Sequence, residues 1–236
     1  MKLPKKINPC PIIEAIAEIR FESLVPADAI LGVLYKDFKD DFPQPIVKLP
    51  ILQIPEAIRL NDPNLLNKPY YQLKNGTFIF QIGPRALSVI SQKEYVGWEN
   101  YAKKINECFK KAQNLGIFSQ IKRLGIRYVN FFDNDIFEKI NLEVLKEKET
   151  LKSEEFFIRT KLKAGQFVSN LQIANKAEIM RNNILSKGSI IDIDTFLEKD
   201  NFVLTESLIE ECRAEENKLF FSLLKEEFLK QLNPEY

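Results

Sequence analysis

Hydrophobic and polar residues alternate near the start of the chain. Over residues 11–23, mainly apolar side chains at odd positions alternate with mainly charged side chains at even positions. A period of two is typical of a β-strand with one buried face. The spacing then changes to three and four residues, and Pro26 stands where the first turn of a helix tolerates proline. We therefore predict a strand over 11–23 and a helix over 26–41.

The rest of the first half predicts a hairpin and a long helix. Prolines recur over residues 43–69 and favour one or two short edge strands joined by ordered loop. The dipeptide Asn75-Gly76 separates two apolar runs, which favours a tight hairpin turn. A further strand is predicted over 86–90. Apolar residues then recur at helical spacing over 98–115 and end at a glycine, which is typical of a helix C-terminus.

The second half repeats this order of elements. Residues 121–133 are predicted to form a long strand, and residues 136–148 a short helix. Ser207 and Glu210 have the spacing of a capping box and predict the start of a long amphipathic helix that closes the chain. Three further strands are predicted between these helices, over 156–162, 167–174 and 189–196.

This order of elements predicts an α+β protein. We expect two layers, a mostly antiparallel sheet with helices on one face, in a single domain spanning residues 1–236. Its two parts, about 11–118 and 119–236, each have the order strand, helix, three or more strands, helix. We interpret this as a degenerate duplication without recognisable sequence repetition.

Composition narrows the classes of function. The chain has 236 residues and contains 34 Lys and Arg, 33 Asp and Glu, and no histidine. Without imidazole, serine–histidine and cysteine–histidine nucleophiles and nearly all zinc enzymes are excluded. The balanced charge disfavours nucleic acid as a partner.

The cysteines and the lengths of the apolar runs favour a cytoplasmic location. The three cysteines, Cys10, Cys108 and Cys212, are far apart and form neither a disulfide framework nor a metal motif. We expect the two on predicted helices to be buried. No apolar run approaches the roughly 18 residues of a membrane span, so we expect a cytoplasmic protein with no membrane association.

Two strands carry charges that could meet. Glu14 and Glu18 lie four residues apart on the first strand, and Arg123 and Arg127 lie four apart on the strand over 121–133. If the two strands pair, these groups form cross-strand ion pairs.

A second interpretation places a ligand among the same charges. The three arginines, Arg20, Arg123 and Arg127, with Tyr128 and Asn130, would then form a polar cleft for a small anionic ligand or an acidic partner. Both alternatives stay open from the sequence.

Asp192 and Asp194 are candidate metal ligands. They lie two residues apart on a predicted strand, so both carboxylates project from one face, as a site for Mg²⁺ would require. Two carboxylates are few for a magnesium site, and the simpler interpretation is a structural role without a cofactor.

An ordered series of short motifs covers nearly the whole chain. The motifs are Pro11 to Ala15, Glu18 to Phe21, Gln81 to Pro84, Leu87 to Val89, Gly97-Trp98, Arg123 to Asn130, Ile191 to Asp194 and Phe220-Phe221. The series resembles a sporadically distributed prokaryotic family of unknown function that is defined by a sequence profile. The resemblance implies a stand-alone cytoplasmic protein encoded in the manner of mobile or accessory genes. Such a distribution suits defence, toxin–antitoxin or mobile-element functions.

Two functions follow as expectations. The missing catalytic constellations favour a non-enzymatic partner-binding or accessory module. The last helix is rich in phenylalanine, at Phe220, Phe221 and Phe228, and we expect some of these rings to contact a protein partner or a second copy of the chain. The alternative is an anionic-ligand or nucleotide-binding protein. In that case the three arginines hold phosphates, and the two aspartates hold Mg²⁺ for phosphoryl chemistry.

Overall fold

The chain folds into a large antiparallel sheet and a set of helices. The computed structural model of the protein describes residues 3–91, 94–151, 155–181 and 184–236. The strands are β1 (Ile12–Ser23), β2 (Val47–Lys48), β3 (Tyr71–Lys74), β4 (Phe78–Ile82), β5 (Ala86–Ser91), β6 (Phe118–Phe132), β7 (Leu145–Lys146), β8 (Glu149–Thr150), β9 (Phe157–Ala164), β10 (Phe167–Arg181) and β11 (Ile184–Glu198). The helices are α1 (Ile30–Phe38), α2 (Glu56–Asn61), α3 (Trp98–Asn114), α4 (Glu206–Leu223) and α5 (Glu226–Gln231), with a 3₁₀ turn at Pro50–Gln53.

Strands β1 and β6 lie at the centre of the sheet. Within the described residues, nine strands form one continuous sheet in the order β2-β3-β4-β5-β1-β6-β11-β10-β9, and every neighbouring pair is antiparallel. On one side of the centre the order is β1-β5-β4-β3, and on the other it is β6-β11-β10-β9. The predicted antiparallel α+β fold is confirmed. The two halves share this strand order, and a duplication that would explain it stays a prediction.

One face of the sheet carries the helices of the first half. The odd-numbered residues of β1 from Ala15 to Phe21 are buried on this face. They belong to one core cluster with apolar residues of α1 and α3, among them Leu34, Phe38 and Ile105. Burying each large apolar side chain of this kind contributes about 1.5 to 3 kcal/mol to folding. The alternation along β1 therefore fixes which face the helices cover.

The helices of the second half pack on the same face. Ile191 and Ile193 of β11 form a second core cluster with Phe220 of α4 and Phe228 of α5. Ile193 is paired with Tyr128, which is paired in turn with Ala15. Because directly paired residues project from the same side of a sheet, both clusters lie on one face. The predicted placement of helices on one face is thus confirmed for α1, α3, α4 and α5.

The predicted helix over 136–148 is wrong. Residues 136–140 form a turn instead, and β7 and β8 form a two-stranded hairpin. Ile136 and Ile140 have helical spacing, but both are buried against the ends of α4 and α5. The residues between β7 and β8 have positive φ angles of 52° and 73°, which a helix does not allow.

Helix α4 begins earlier than its capping box predicts. Thr205 is the N-cap, and its hydroxyl accepts a hydrogen bond from the Leu208 backbone N–H. Ser207 lies inside the helix and donates to Glu211 at 3.2 Å. Thr205 and Ser207 are both residue types that favour an N-cap position. Thr205 is the N-cap because its backbone is extended, whereas Ser207 already lies in the helix.

Two of the free cysteines are core residues. Cys108 and Cys212 are buried, as predicted, and the Cys212 thiol donates to the Thr195 carbonyl oxygen at 3.2 Å. Burial raises the pKa of each thiol to about 12, so both are protonated and unreactive at neutral pH. In the described part of the chain, none of the helices combines the length and the hydropathy that a membrane-spanning segment needs.

A close approach of backbones at Gly188 generates a prediction. A Cβ atom at this position of β11 would lie 2.1 Å from the Phe132 carbonyl oxygen of β6. We expect Gly188→Ala to destabilise the protein by about 2 kcal/mol or more, because neighbouring strands must separate. Gly32→Ala on α1 is the matched control, since nothing lies within 4 Å of its new Cβ and we expect it to stabilise the helix by up to about 1 kcal/mol. Urea unfolding followed by circular dichroism checks both, and equal effects would contradict the packing at Gly188.

Candidate functional site

The predicted charged residues meet on the face of the sheet opposite the two core clusters. Six of them form what we call the ion-pair cluster: Glu18, Arg20, Arg123, Arg127, Asp192 and Asp194. The register of β1, β6 and β11 brings them together, since Glu18 is opposite Gly125 and Asp194 is opposite Arg127. Three neighbouring strands therefore contribute charges to one surface.

Arg123 is the centre of this cluster. Its side chain is only 6% exposed, and one Nη atom donates to Glu18 Oε1 at 2.9 Å. The other Nη atom donates to both carboxylate oxygens of Asp194 at 2.8 Å. The guanidinium also lies 4.4 Å from the centre of the Phe196 ring. Gly125 leaves room for it, because a Cβ there would lie 2.5 Å from Nη1.

The second arginine of β6 forms a separate bidentate pair. Arg127 donates from Nε and Nη2 to the two oxygens of Asp192, at 2.8 and 2.7 Å. This hydrogen-bonded carboxylate raises the pKa of Arg127, and the nearby charges of Glu14 and Asp194 act in the same direction. Gln172 on β10 donates to Asp192 at 3.2 Å. The guanidinium is thus held in place by an acid from β11.

The geometry favours a structural role for the ion-pair cluster. The predicted cross-strand pair of Glu18 and Arg123 forms, and Arg20 donates to the same Glu18 oxygen at 2.7 Å. The cations that were expected to bind an anion therefore already bind carboxylates. Asp192 and Asp194 each face a guanidinium, and the described residues contain no group of three Cys, Asp or Glu side chains placed to hold a metal ion. An anion or Mg²⁺ at these residues stays a prediction.

Tyr128 and Asn130 do not belong to this cluster, and their predicted grouping with the arginines is wrong. They alternate with Arg127 and Val129 along β6, so they project from the face that carries the helices. Both line a cavity there.

This cavity has a volume of about 730 Å³ and lies where the two halves of the chain meet. One wall is the N-terminal segment, residues 5–12, and a second is formed by residues 95–100, the loop before α3 and the first residues of that helix. A third wall is the face of α4 over residues 213–221, and β6 closes the floor. The size is that of pockets that enclose small organic ligands.

A buried carboxyl group lines the cavity. Glu216 of α4 is 2% exposed, and its Oε1 has no hydrogen-bond partner. Burial raises the pKa of Glu216 to about 8, although the positive charge of Arg213 acts in the opposite direction. Glu216 is therefore mainly protonated at neutral pH and has hydrogen-bonding capacity that the described residues do not use.

Two tyrosines lie close to this carboxyl group. The Tyr95 and Tyr128 hydroxyls share a hydrogen bond of 3.0 Å, and their rings meet edge to face at 5.5 Å. Burial raises the pKa of both phenols, and the charge of Glu216 contributes to each rise. Both phenols remain neutral hydrogen-bonding groups throughout the physiological range.

Arg213 and Trp98 form another part of the wall. The guanidinium of Arg213 lies 5.3 Å from the centre of the Trp98 ring, within the range of a cation–π contact. The indole Nε1 donates to both carboxylate oxygens of Glu210 at 2.8 and 3.0 Å. Arg213 Nε is buried without a hydrogen-bond partner. Two residues of α4 that line the cavity, Arg213 and Glu216, thus each have a buried polar atom without a hydrogen-bond partner.

Glu216 is not among the residues predicted from the sequence, although the chain carries a signal for it. Glu216 lies four residues after Cys212 and four before Phe220, so it interrupts the apolar stripe of α4. A single acidic residue in such a stripe is exceptional, because a carboxyl group is rarely buried without a partner. Tyr95 and Arg213 carry no comparable signal, since only the packing of α4 beside α3 brings them together.

Comparisons with known proteins add no functional information. No family model matches this chain, and a search of curated proteins finds no relative.

The ion-pair cluster predicts unequal effects of removing its arginines. Arg123→Met should destabilise the protein by about 3 kcal/mol, because it leaves Glu18 and Asp194 without their shared cation. Arg20 is 35% exposed, so Arg20→Met should cost about 1 kcal/mol or less. Urea unfolding of both variants is the measurement. A cost for Arg123→Met as small as that for Arg20→Met would show that the cluster is not structural.

The burial of Glu216 predicts a pH dependence of stability. The pKa of this group is raised from 4.5 to about 8 on folding, so between these values the folded chain keeps a proton that the unfolded chain releases. The free energy of unfolding should therefore fall as the pH rises through this window, by roughly 1 kcal/mol per pH unit.

The control for this pH effect is the neighbouring acid. Glu216→Gln should remove the fall, whereas Glu215→Gln should retain it. Unfolding curves at a series of pH values check this, and parallel curves for wild type and Glu216→Gln would contradict the buried, protonated state.

Proposed function

We propose that this protein binds a small organic ligand in the cavity between the N-terminal segment, the start of α3 and α4. The single observation that supports it is Glu216, a buried carboxyl group on the cavity wall with an oxygen that has no partner. A ligand is the natural source of the missing hydrogen bond. We propose binding rather than catalysis, in keeping with the lack of histidine.

The unpaired carboxyl group of Glu216 lowers the stability of the ligand-free protein. Leaving a buried polar group unsatisfied costs about 1 to 3 kcal/mol, and an apolar side chain of similar size avoids that cost. Glu216 occupies a position between core residues where leucine would fit the apolar stripe. A residue that lowers stability at a cavity wall is characteristic of a binding site.

The expected interface through the phenylalanines of the last helix receives less support. Phe220 and Phe228 are 6% and 7% exposed and pack within the chain itself. Phe221 is half-buried and lines the cavity. A protein partner or homodimer, and the defence or mobile-element role implied by the family resemblance, remain proposals without a surface assigned to them.

The experiment that tests the proposed function compares ligand retention in matched variants. We expect native mass spectrometry of the gently purified wild-type protein, exposed to the dialysable fraction of a cell extract, to reveal an added mass that denaturation removes. Glu216→Leu should lose this mass and become more stable by about 1 to 3 kcal/mol, because an unpaired polar group is replaced by an apolar one.

Two further variants make the result specific to the cavity. Asn217→Trp fills the cavity from the same helix and should also abolish retention. Glu215→Leu alters the adjacent acid, which is not among the cavity-lining residues, and should retain the ligand. No added mass in the wild type, or the same mass in Asn217→Trp, would refute the proposed function.

A further inference from the structure

The start of α3 gives one wall of the cavity a partial positive charge. Helix α3 has 17 residues, and its start lines the cavity. Its N-cap is Gly97, which has no side chain to cap the first backbone N–H groups. These N–H groups carry the partial positive charge of the helix dipole. An anionic group placed there would receive hydrogen bonds from the backbone.

Side chains at the cavity reinforce this preference. Lys5, Lys6 and Arg213 line it as cations, and Glu99 in the first turn of α3 opposes them. Lys6 also lies 3.8 Å from the exposed carboxylate of Glu235. With Glu216 protonated, the cations outnumber the ionised carboxylate among the lining residues. A ligand with positive charge alone would be repelled.

The helix dipole and the surface lysines alone would not indicate a ligand site, and Glu216 is the second observation that does. This side chain is buried, lines the cavity and has an unpartnered oxygen, so it provides a second and independent demand on the ligand. An N–H group of a ligand can supply the hydrogen bond that this oxygen lacks. A ligand with both an anionic group and an N–H donor therefore meets the demands of both parts of the cavity.

The space between these groups is aromatic. The lining includes Tyr95, Trp98, Tyr128 and Phe220. Trp98 and Tyr95 each meet Tyr101 edge to face, at 6.2 and 6.0 Å, so their rings are held by the core. Rings of fixed orientation favour a flat aromatic ligand over a flexible hydrocarbon chain.

We infer that the ligand is an aromatic molecule with an anionic group that binds the start of α3 near Lys5, Lys6 and Arg213, and an N–H group that donates to Glu216. This inference rests on the proposed function and deepens it by naming the class of ligand. Aromatic amino acids and nucleoside monophosphates share this chemistry. An amino acid offers an ammonium group to Glu216, and a nucleotide offers the N–H groups of its base.

The test compares probes that differ by one group. L-tryptophan is compared with tryptamine, which lacks the carboxylate, and with indole-3-propionate, which lacks the amine. Guanosine monophosphate is compared with guanosine, which lacks the phosphate. We expect at least one complete probe to bind about tenfold or more tightly than each of its truncated analogues by isothermal titration calorimetry, and the pair that does so identifies the source of the ligand.

Two variants tie the binding to the proposed contacts. Glu216→Leu removes the acceptor oxygen and should weaken the complete probe, and also tryptamine and guanosine, which keep the N–H group, while leaving indole-3-propionate unchanged. The double variant Lys5→Ala with Lys6→Ala should weaken the complete probe and leave guanosine unchanged, and it should not weaken tryptamine, because two cations that repel its ammonium group are removed. The matched control is the double variant Lys103→Ala with Lys110→Ala, which removes two lysines of α3 that do not line the cavity. It should leave the affinity of every probe unchanged.

The outcomes separate this inference from the proposed function. Truncated probes that bind as tightly as complete ones overturn the inference, and so does an unchanged affinity of the complete probe in Glu216→Leu. If no probe binds but the wild type retains a mass that Asn217→Trp lacks, the ligand class is wrong and the proposed function stands. If neither probe binding nor a retained mass is found, both fail.

Discussion

The antiparallel pairing of β1 with β6 joins the two halves of the chain into one sheet, and the position of every functional candidate depends on it. The register places Glu18 beside the β6 arginines on one face and Ala15 beside Tyr128 on the other. A shift by one residue would exchange the two faces and bury the charges under the helices. The apolar side chains at the odd positions of β1 prevent such a shift, because they are buried in the core together with residues of α1 and α3.

The two faces of this strand pair differ in whether their buried ionisable groups have hydrogen-bond partners. On the face opposite the helices, Arg123 and Arg127 are neutralised by acids from β1 and β11 at hydrogen-bonding distance. On the helical face, Glu216 has an oxygen without a partner. Because an unpaired buried group lowers stability whereas a paired one does not, the site of function is better sought at the unsatisfied group than at the more conspicuous cluster of arginines.

Local patterns predicted much of the fold and less of the site. Alternation over 11–23 and helical spacing over 98–115 are local properties, and the structure has a strand and a helix there. The same alternation along β6 separates Tyr128 from Arg127, so their placement on opposite faces was accessible from the sequence. The pairing of Asp192 with Arg127 depends on the register between distant strands, which no local pattern specifies. The spacing of Ile136 and Ile140 led to the wrong prediction of a helix over 136–148. Both side chains are buried against α4 and α5, and this burial gives the same apolar spacing as a helix.

The cavity lies at the junction of elements that are distant in sequence, and this has a thermodynamic consequence. Its N-terminal wall is tied to the end of the chain, where Lys5 N–H donates to the Glu235 carbonyl oxygen at 2.7 Å and Asn8 N–H donates to Leu232 at 2.7 Å. Its other walls come from α3 in the first half and α4 in the second. A ligand that contacts all three walls binds only when both halves and both termini are in place. The binding free energy of the proposed ligand would therefore add to the stability of the whole fold and offset the cost of burying Glu216.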